Sequence, residues 1–314
     1  MRIIVLLIIA CSTLSYGQKL RKPGDNYSMP VAVGTDTQDQ DLETIRQRVI
    51  VDMLAPAIDP GKIDELVKSQ KYDGTWPGIN YKDVSKTGFQ HREHLANTLT
   101  LARAFRKSSS PFFNDAKVRN AASIALDLWL SNDFISENWW WNEMGTPELM
   151  INILLVMDTE LTDSQKMGGI RIAGRANLEA SGARPGGDLI QIAGMRGKQA
   201  LFQRNSEVFS RVVAVMASEI KVSSGRGLKP DLSFHHRTDN VISTLGYGLG
   251  YSSSFAYWAV KIAGTKYTLP EPAMHLLIDY YLDGICQSMV HGKYPDPGAE
   301  NRGISRKEAL DLAG

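Results

Sequence analysis

The residues best able to move protons lie together in Asp231-Leu232-Ser233-Phe234-His235-His236-Arg237-Thr238-Asp239-Asn240, followed by Ser243-Thr244-Leu245-Gly246-Tyr247-Gly248. Two of the six histidines are adjacent here and run into an arginine. Histidine serves as a base near neutral pH. Tyrosine can give or take a proton where a positive neighbour lowers its pKa, and the glycines around Tyr247 let the backbone approach a ligand closely. The competing reading is a surface His-His-Arg loop with Tyr247 in the core. A zinc site fits less well, because no carboxylate or cysteine stands at ligand spacing and there is no HExxH.

Three further clusters can bind. Arg302 and Arg306 are four apart in Glu300-Asn301-Arg302-Gly303-Ile304-Ser305-Arg306. At a helix start they share a face beside unpaired backbone N–H groups, which makes an anion site or, alternatively, a solvated basic turn. Ser181-Gly182-Ala183-Arg184-Pro185-Gly186-Gly187-Asp188 is a loop running into a helix, with Asp188 near the first turn and Arg184 able to face a carboxylate. Asn138-Trp139-Trp140-Trp141 holds half of the six tryptophans, and three in a row cannot all point one way. The rings either pack between helices or present a flat apolar face beside polar amides, which suits a pyranose ring. A fifth stretch, Asp73-Gly74-Thr75-Trp76 to Tyr81 and then His91 to Leu95, reads as an aromatic packing turn before a helix.

The elements that must position these residues are helical. Leu42, Ile45, Val49, Ile50, Met53 and Leu54 form one helical face, and Leu95, Leu99, Leu101, Ala102 and Phe105 form another. Helical stretches follow at 117–131, 147–158, 163–175, 187–203, 206–220, 241–263, 271–290 and 305–312, joined by loops rich in Gly, Pro, Asp and Asn. Strand-like alternation is scarce and there is no tight repeat, so the expected class is all-α. By analogy with exported all-helical chains of this length, antiparallel helix pairs are expected to close into an incomplete (α/α) toroid over 39–314. The chemistry-bearing residues then fall in long loops and at helix starts, where such a fold lines its cleft.

Met1-Arg2, the apolar run Ile3 to Ala10 and Ser15-Tyr16-Gly17 read as a signal peptide over 1–17, with a polar extended leader over 18–38. This predicts export to the periplasm or outside the cell. A rival reading processes the chain as a lipoprotein at Cys11. Cleavage before Gln18 leaves Cys286 as the one cysteine, so stability must come from the core and not from disulfides. With 35 basic and 34 acidic residues the net charge of +1 argues for no particular partner, so local clusters must decide. The last residues, Ile304 to Gly314, read as a helix just begun, as in a fragment of a longer protein.

Taken together, the motifs resemble polysaccharide lyase family 8, the chondroitin AC, hyaluronate and xanthan lyases. Asn138-Trp139-Trp140…Glu143…Gly145-Thr146-Pro147 is similar to that family's Asn-Trp-Trp-x-x-Glu-Ile-Gly/Ala-Thr-Pro run. Asp73-Gly74-Thr75-Trp76 resembles its Asp-Gly-Ser-Trp opening, and Asp231-x-Ser233-Phe234 resembles the approach to its catalytic histidine. Arg302-Gly303-Ile304-Ser305-Arg306 resembles its Arg-Gly-Val-Ser-Arg segment, and the order of all four is preserved over about residues 40 to 310.

The resemblance implies an incomplete (α/α) toroid, followed in full-length members by β-sandwich domains, and eliminative cleavage of uronic-acid polysaccharides. It makes Trp139 and Trp140, with Asn138, a sugar-stacking platform and leaves Trp141 to packing. It makes a histidine and Tyr247 the acid/base pair, with Arg302 and Arg306 assisting at the cleaved bond. The spacing departs from the family's. Its histidine stands six residues after the Asp, where this chain has Arg237, and its tyrosine nine residues further on, whereas Tyr247 lies 11 beyond His236. His235 and His236 are therefore both candidates. Arg184 stands where the family often has an Asn that neutralises the uronate, and the family's catalytic Glu belongs to a β-domain beyond this chain. The expected function is β-elimination on an acidic polysaccharide of the chondroitin sulfate or hyaluronan kind, by a monomer. No metal or organic cofactor is required, and neither a nucleic-acid partner nor a membrane span is expected. A non-catalytic glycan-binding fragment and an (α/α)-toroid glycoside hydrolase, with Glu143 or Asp239 as its acid, are the alternatives.

Overall fold

The computed structural model describes residues 39–238, 240–290 and 294–301. The expected signal peptide and leader, Asp239, Arg302, Arg306 and the expected helix 305–312 lie outside the described residues.

Helices begin where side chains can satisfy the first orphan N–H groups. Asp39 caps α1 (Gln40–Met53). Asp59 caps α2 (Pro60–Ser69), with Pro60 in its first turn. After α3 (His91–Arg106), Asp115 caps α4 (Ala116–Asn132). After α5 (Thr146–Met157), Thr162 and Gln165 form a capping box on α6 (Asp163–Ala173). After α7 (Gly187–Gln203), Asn205 caps α8 (Ser206–Glu219). Then come α9 (Leu249–Ile262), α10 (Glu271–Asp279) and the short α11 (Pro297–Glu300). None of the described helices is long and apolar enough to cross a membrane.

Two layers follow from the packing. α3, α5, α7 and α9 touch in sequence to make one layer, while α4, α6 and α8 pack as antiparallel partners against α3, α5 and α7. α1 lies across the row, touching α5, α7 and α9. This is the inner and outer arrangement of an incomplete (α/α) toroid. α5 is central to the inner layer and is apolar nearly all round, burying Met150, Ile151, Ile153, Leu154, Leu155 and Val156. α7 and α9 approach closely because Gly194 and Gly197 make room for the Trp258 indole, which a Cβ at Gly194 would meet at 2.7 Å.

Three segments are wound as π-helix: Trp141–Gly145, Thr244–Gly248 and Tyr280–Ile285. The first two lead directly into α5 and α9. The helix expected over 241–263 thus starts at Thr244 with a π turn and runs to Ile262, and the one expected over 271–290 passes from α10 into a π turn that ends at Ile285. The second ends in a short turn and the hairpin β3 (Met289–Val290) with β4 (Tyr294–Pro295). α2 was not expected, although Asp59-Pro60 and the spacing of Ile63, Leu66 and Val67 carry its signal.

The stretch before α3 is a buried aromatic knot. The Tyr81 hydroxyl accepts from the Trp76 backbone N–H at 3.1 Å and meets His94 Nδ1 at 2.9 Å, while His94 Nε2 meets the Ala125 carbonyl at 2.8 Å. Burial holds the His94 pKa down at about 4. A neutral ring with its proton on Nε2 satisfies both partners.

Candidate active site

The tryptophan motif is set by its π turn. Consecutive side chains on a helix point about 100° apart, so the three indoles cannot share one face. Trp139 and Trp140 stay 39% and 38% exposed, while Trp141 turns inward onto Phe89 with the Arg92 guanidinium 5.4 Å from its ring. Gly145 is required beneath them, because a Cβ there would meet Trp141 at 2.4 Å and Trp140 at 2.9 Å. Asn138 is spent on local geometry: its Oδ1 accepts from the Trp140 N–H at 3.1 Å and its Nδ2 donates to the Lys86 carbonyl at 3.3 Å.

Glu143, in the same turn, latches the arginine loop. Its carboxylate accepts from the Ser181 hydroxyl at 3.1 Å and from the Gly182 N–H at 3.1 Å. Gly182 then sits so close under Trp139 that a Cβ would lie 2.4 Å from the indole. The exposed Arg184 comes round with its guanidinium 5.7 Å from the Trp139 ring centroid, at cation–π range. Behind the loop, Gly186 (φ 97°) donates its N–H to the Glu219 carboxylate at 2.6 Å, where burial raises the Glu219 pKa.

The histidines are separated by strand geometry. β1 (Gly227–Leu228) pairs antiparallel with β2 (Phe234–His235). Successive side chains on a strand point to opposite faces. Phe234 is fully buried against Tyr251 and Tyr280, and His236, just beyond the strand, stacks on Tyr247. His235 takes the other face, within 3.3 Å of the Ser233 hydroxyl in an open depression lined by Ser223, Lys229, Asp231 and Asn240.

His236 lies flat on Tyr247, with ring centroids 3.4 Å apart and planes within 3°. The turn carrying Tyr247 is clipped to the strand. Ser243 donates its N–H to the Phe234 carbonyl at 2.8 Å, Phe234 donates its N–H to the Thr244 hydroxyl at 3.1 Å, and the Ser243 hydroxyl accepts from the Tyr247 N–H at 3.3 Å. Gly248 lets this turn press on Phe234 and Tyr280, where a Cβ would be 2.8 Å and 2.2 Å away.

An ionic chain joins the two halves. One nitrogen of the Arg226 guanidinium lies 3.5 Å from Asp188 Oδ2 and 3.5 Å from His236 Nδ1. Burial raises the Asp188 pKa, opposed by the charges of Arg226 and Arg184. The order Trp139, Arg184, Asp188, Arg226, His236, Tyr247 is thus linked by a cation–π contact, by charge, by the contacts of Arg226 and by ring stacking, with the Glu143 carboxylate beside its first members. Of the sequence-predicted residues, Trp139, Trp140, Arg184, His236 and Tyr247 flank this chain. Asn138 supports it and His235 faces away. Arg226 was missed: its signal is a lone arginine between glycines in Ser223-Ser224-Gly225-Arg226-Gly227.

Residues 30–313 match the polysaccharide lyase family 8, N terminal alpha-helical domain. The chain is 26% identical over 272 residues to the chondroitinase-AC of Pedobacter heparinus, covering 86% of this chain and 38% of that protein. It thus spans under half the length of this relative. Among solved structures it superposes on a chondroitinase AC lyase with a TM-score of 0.80 at 24% identity, covering 87% of this chain and 40% of that one. The chondroitin AC lyase of Streptomyces coelicolor A3, solved in complex with chondroitin sulphate, gives 0.71 at 17%, covering 84% and 38%. The Paenibacillus xanthan lyase gives 0.70 at 17%, covering 87% and 28%. The structural likenesses speak for the fold alone, and the match over residues 30–313 gives the family: the chain belongs to polysaccharide lyase family 8 and carries its N-terminal α-helical domain.

Proposed function

We propose that this chain supplies the sugar platform and the acid/base centre of an exported lyase that cleaves uronic-acid polysaccharides, of the chondroitin sulfate or hyaluronan kind, by β-elimination. The observation that carries the reading is the face-to-face contact of His236 and Tyr247, linked through Arg226 and Asp188 to the side on which Arg184 lies against the exposed Trp139. Its relative in sequence, the chondroitinase-AC of Pedobacter heparinus, supports the substrate class.

The C5 proton of a uronate is poorly acidic beside an ionised carboxylate. Arg184, exposed at the rim and not consumed by its contact to the Ser181 carbonyl, pairs with that carboxylate and stabilises the charge that develops on it. Trp139 and Trp140 hold the neighbouring pyranose by its apolar face. Tyr247, with the His236 ring stacked on it, removes the C5 proton. The C5–H electrons form the C4=C5 double bond, the C4–O bond breaks, and the tyrosine returns the proton to the leaving oxygen. Arg302 and Arg306 are assigned to the cleaved bond by the family motif they match.

Glycan binding without cleavage is the second reading, favoured by the exposure of both indoles apart from the His236–Tyr247 pair. Hydrolysis is disfavoured because the Glu143 carboxylate is engaged by Ser181 and Gly182. Incubating the full chain with a panel of uronate polymers tests the proposal. Ultraviolet absorbance of the unsaturated uronate supports it. Bound polymer with no product supports binding alone, and new reducing ends without absorbance support hydrolysis.

A further inference from the structure

Resting on the reading of Tyr247 as the group that moves the proton with His236 stacked on it, the geometry points to Arg226 and Asp188 as positioning residues that hold the His236 ring against Tyr247 with Nδ1 as a hydrogen-bond acceptor and the ring proton on Nε2.

The placement of Arg226 is built, not incidental. Gly227 faces His235 and Leu228 faces Phe234 in the hairpin, and the residues that flank the end of this pairing, Arg226 and His236, come within 3.5 Å of each other. The loop before β1 is fixed independently. Ser223 donates its N–H to the Leu228 carbonyl at 2.8 Å, and the Lys229 ammonium donates to the carbonyls of Ser223, Ser224 and Gly225. From this frame Arg226 Nε donates to the Pro185 carbonyl at 3.3 Å, which fixes the plane of the guanidinium. Its outer nitrogen is shared between Asp188 and His236, at 3.5 Å each. The Arg226 and Asp188 side chains are only 19% and 18% exposed, so water screens these contacts weakly.

The chemistry follows from the donor inventory. A guanidinium has donors only and keeps its charge. The imidazole nitrogen it faces must therefore be bare, which leaves the proton on Nε2. A second proton on Nδ1 would set N–H against N–H and charge against charge. Around the ring stand Arg226 from the loop before β1, Asp188 from α7 through that arginine, and Tyr247 from the turn before α9. On the ring's own strand, His235 faces away and Arg237 is exposed. Asp188, in the first turn of α7, holds Arg226 and keeps it from pressing its full charge on the ring.

The test is nitrogen NMR of the His236 imidazole in the full chain, which needs no catalysis. The expected wild-type spectrum has the neutral ring protonated on Nε2. In Arg226→Met the ring should take up its second proton about one pH unit higher, because a cation has gone, and the Nδ1–H tautomer should appear. Asp188→Asn should keep the Nε2–H form and move the titration the other way. Elimination by Arg226→Met should fall at least tenfold in kcat with KM within about threefold, and Arg226→Lys should recover part of it. A wild-type ring protonated on Nδ1, or identical titrations in wild type and a folded Arg226→Met, overturns the assignment, and the wild-type spectrum decides even where a variant does not fold. Absence of unsaturated product from the wild type would count against the proposed reaction and leave the ring measurement standing.

Discussion

Tyr247 and His236 stand 11 positions apart in the chain, yet their rings are stacked at 3.4 Å. The contact is made by two local devices: a short strand that ends just before His236, and a π turn, clipped to that strand, that carries Tyr247. The two residues by which this spacing exceeds the family's nine are taken up between these devices.

Gly182→Ala tests the platform. The new Cβ would fall 2.4 Å from the Trp139 ring and 3.2 Å from the Glu143 carboxylate. Trp139 is partly exposed and can swing out, so the fold should lose no more than about 1 kcal/mol. Binding of uronate oligosaccharide should weaken about tenfold, and tryptophan emission should shift. Unchanged affinity, measured by calorimetry, would remove Trp139 from the binding surface.

Glu143→Ala tests the latch. Removing the carboxylate strands the Gly182 N–H and the Ser181 hydroxyl, and charge-assisted bonds of this kind contribute about 1.5–3 kcal/mol. Hydrogen exchange in residues 181–187 should accelerate at least tenfold while that of α5 changes little. Equal exchange in variant and wild type would show that the loop holds itself.

His94 gives the fold a pH dependence. In the folded chain its ring protonates only near pH 4, against an ordinary value of 6.5. The unfolded chain thus takes up the proton first, and stability fully present above about pH 6.5 is lost as pH falls to about 4. The loss is of order 3 kcal/mol. Urea unfolding at about pH 7.5 and about pH 4.5 should show His94→Gln losing much less between the two than wild type. Parallel losses would place the acid sensitivity elsewhere.

Asp158→Ala should lower stability by about 2 kcal/mol, because Arg46, only 7% exposed, would keep just the half-exposed Glu43 at 2.8 Å as its partner, and Asp158 also receives Arg204 at 2.7 Å. The exposed pair Arg211–Glu207 serves as the control, and Glu207→Ala should change stability by under about 0.5 kcal/mol. Equal effects in thermal unfolding would contradict the burial argument.

Where apolar spacing was strong, the sequence was a good guide. Gly186-Gly187 and the run from Leu189 to Phe202 mark α7, which spans Gly187–Gln203. The π turns were not legible, since each is a single turn at a helix end, too short to carry a period of its own, and the Trp139–Trp141 segment reads as loop. The choice between His235 and His236 depends on strand phase, and a two-residue strand is too short to announce itself by alternation. Arg226 escaped notice because its role comes from a cross-strand neighbour and from α7, both distant in sequence.

The measurement that bears most directly on the proposed reaction is the ultraviolet absorbance of unsaturated product formed from chondroitin sulfate and hyaluronan by the full wild-type chain and by Tyr247→Phe. The prediction is product from the wild type and a loss of at least about a thousandfold in Tyr247→Phe, with oligosaccharide affinity retained. Wild-type rates from Tyr247→Phe would contradict the assignment of Tyr247 as the group that moves the proton.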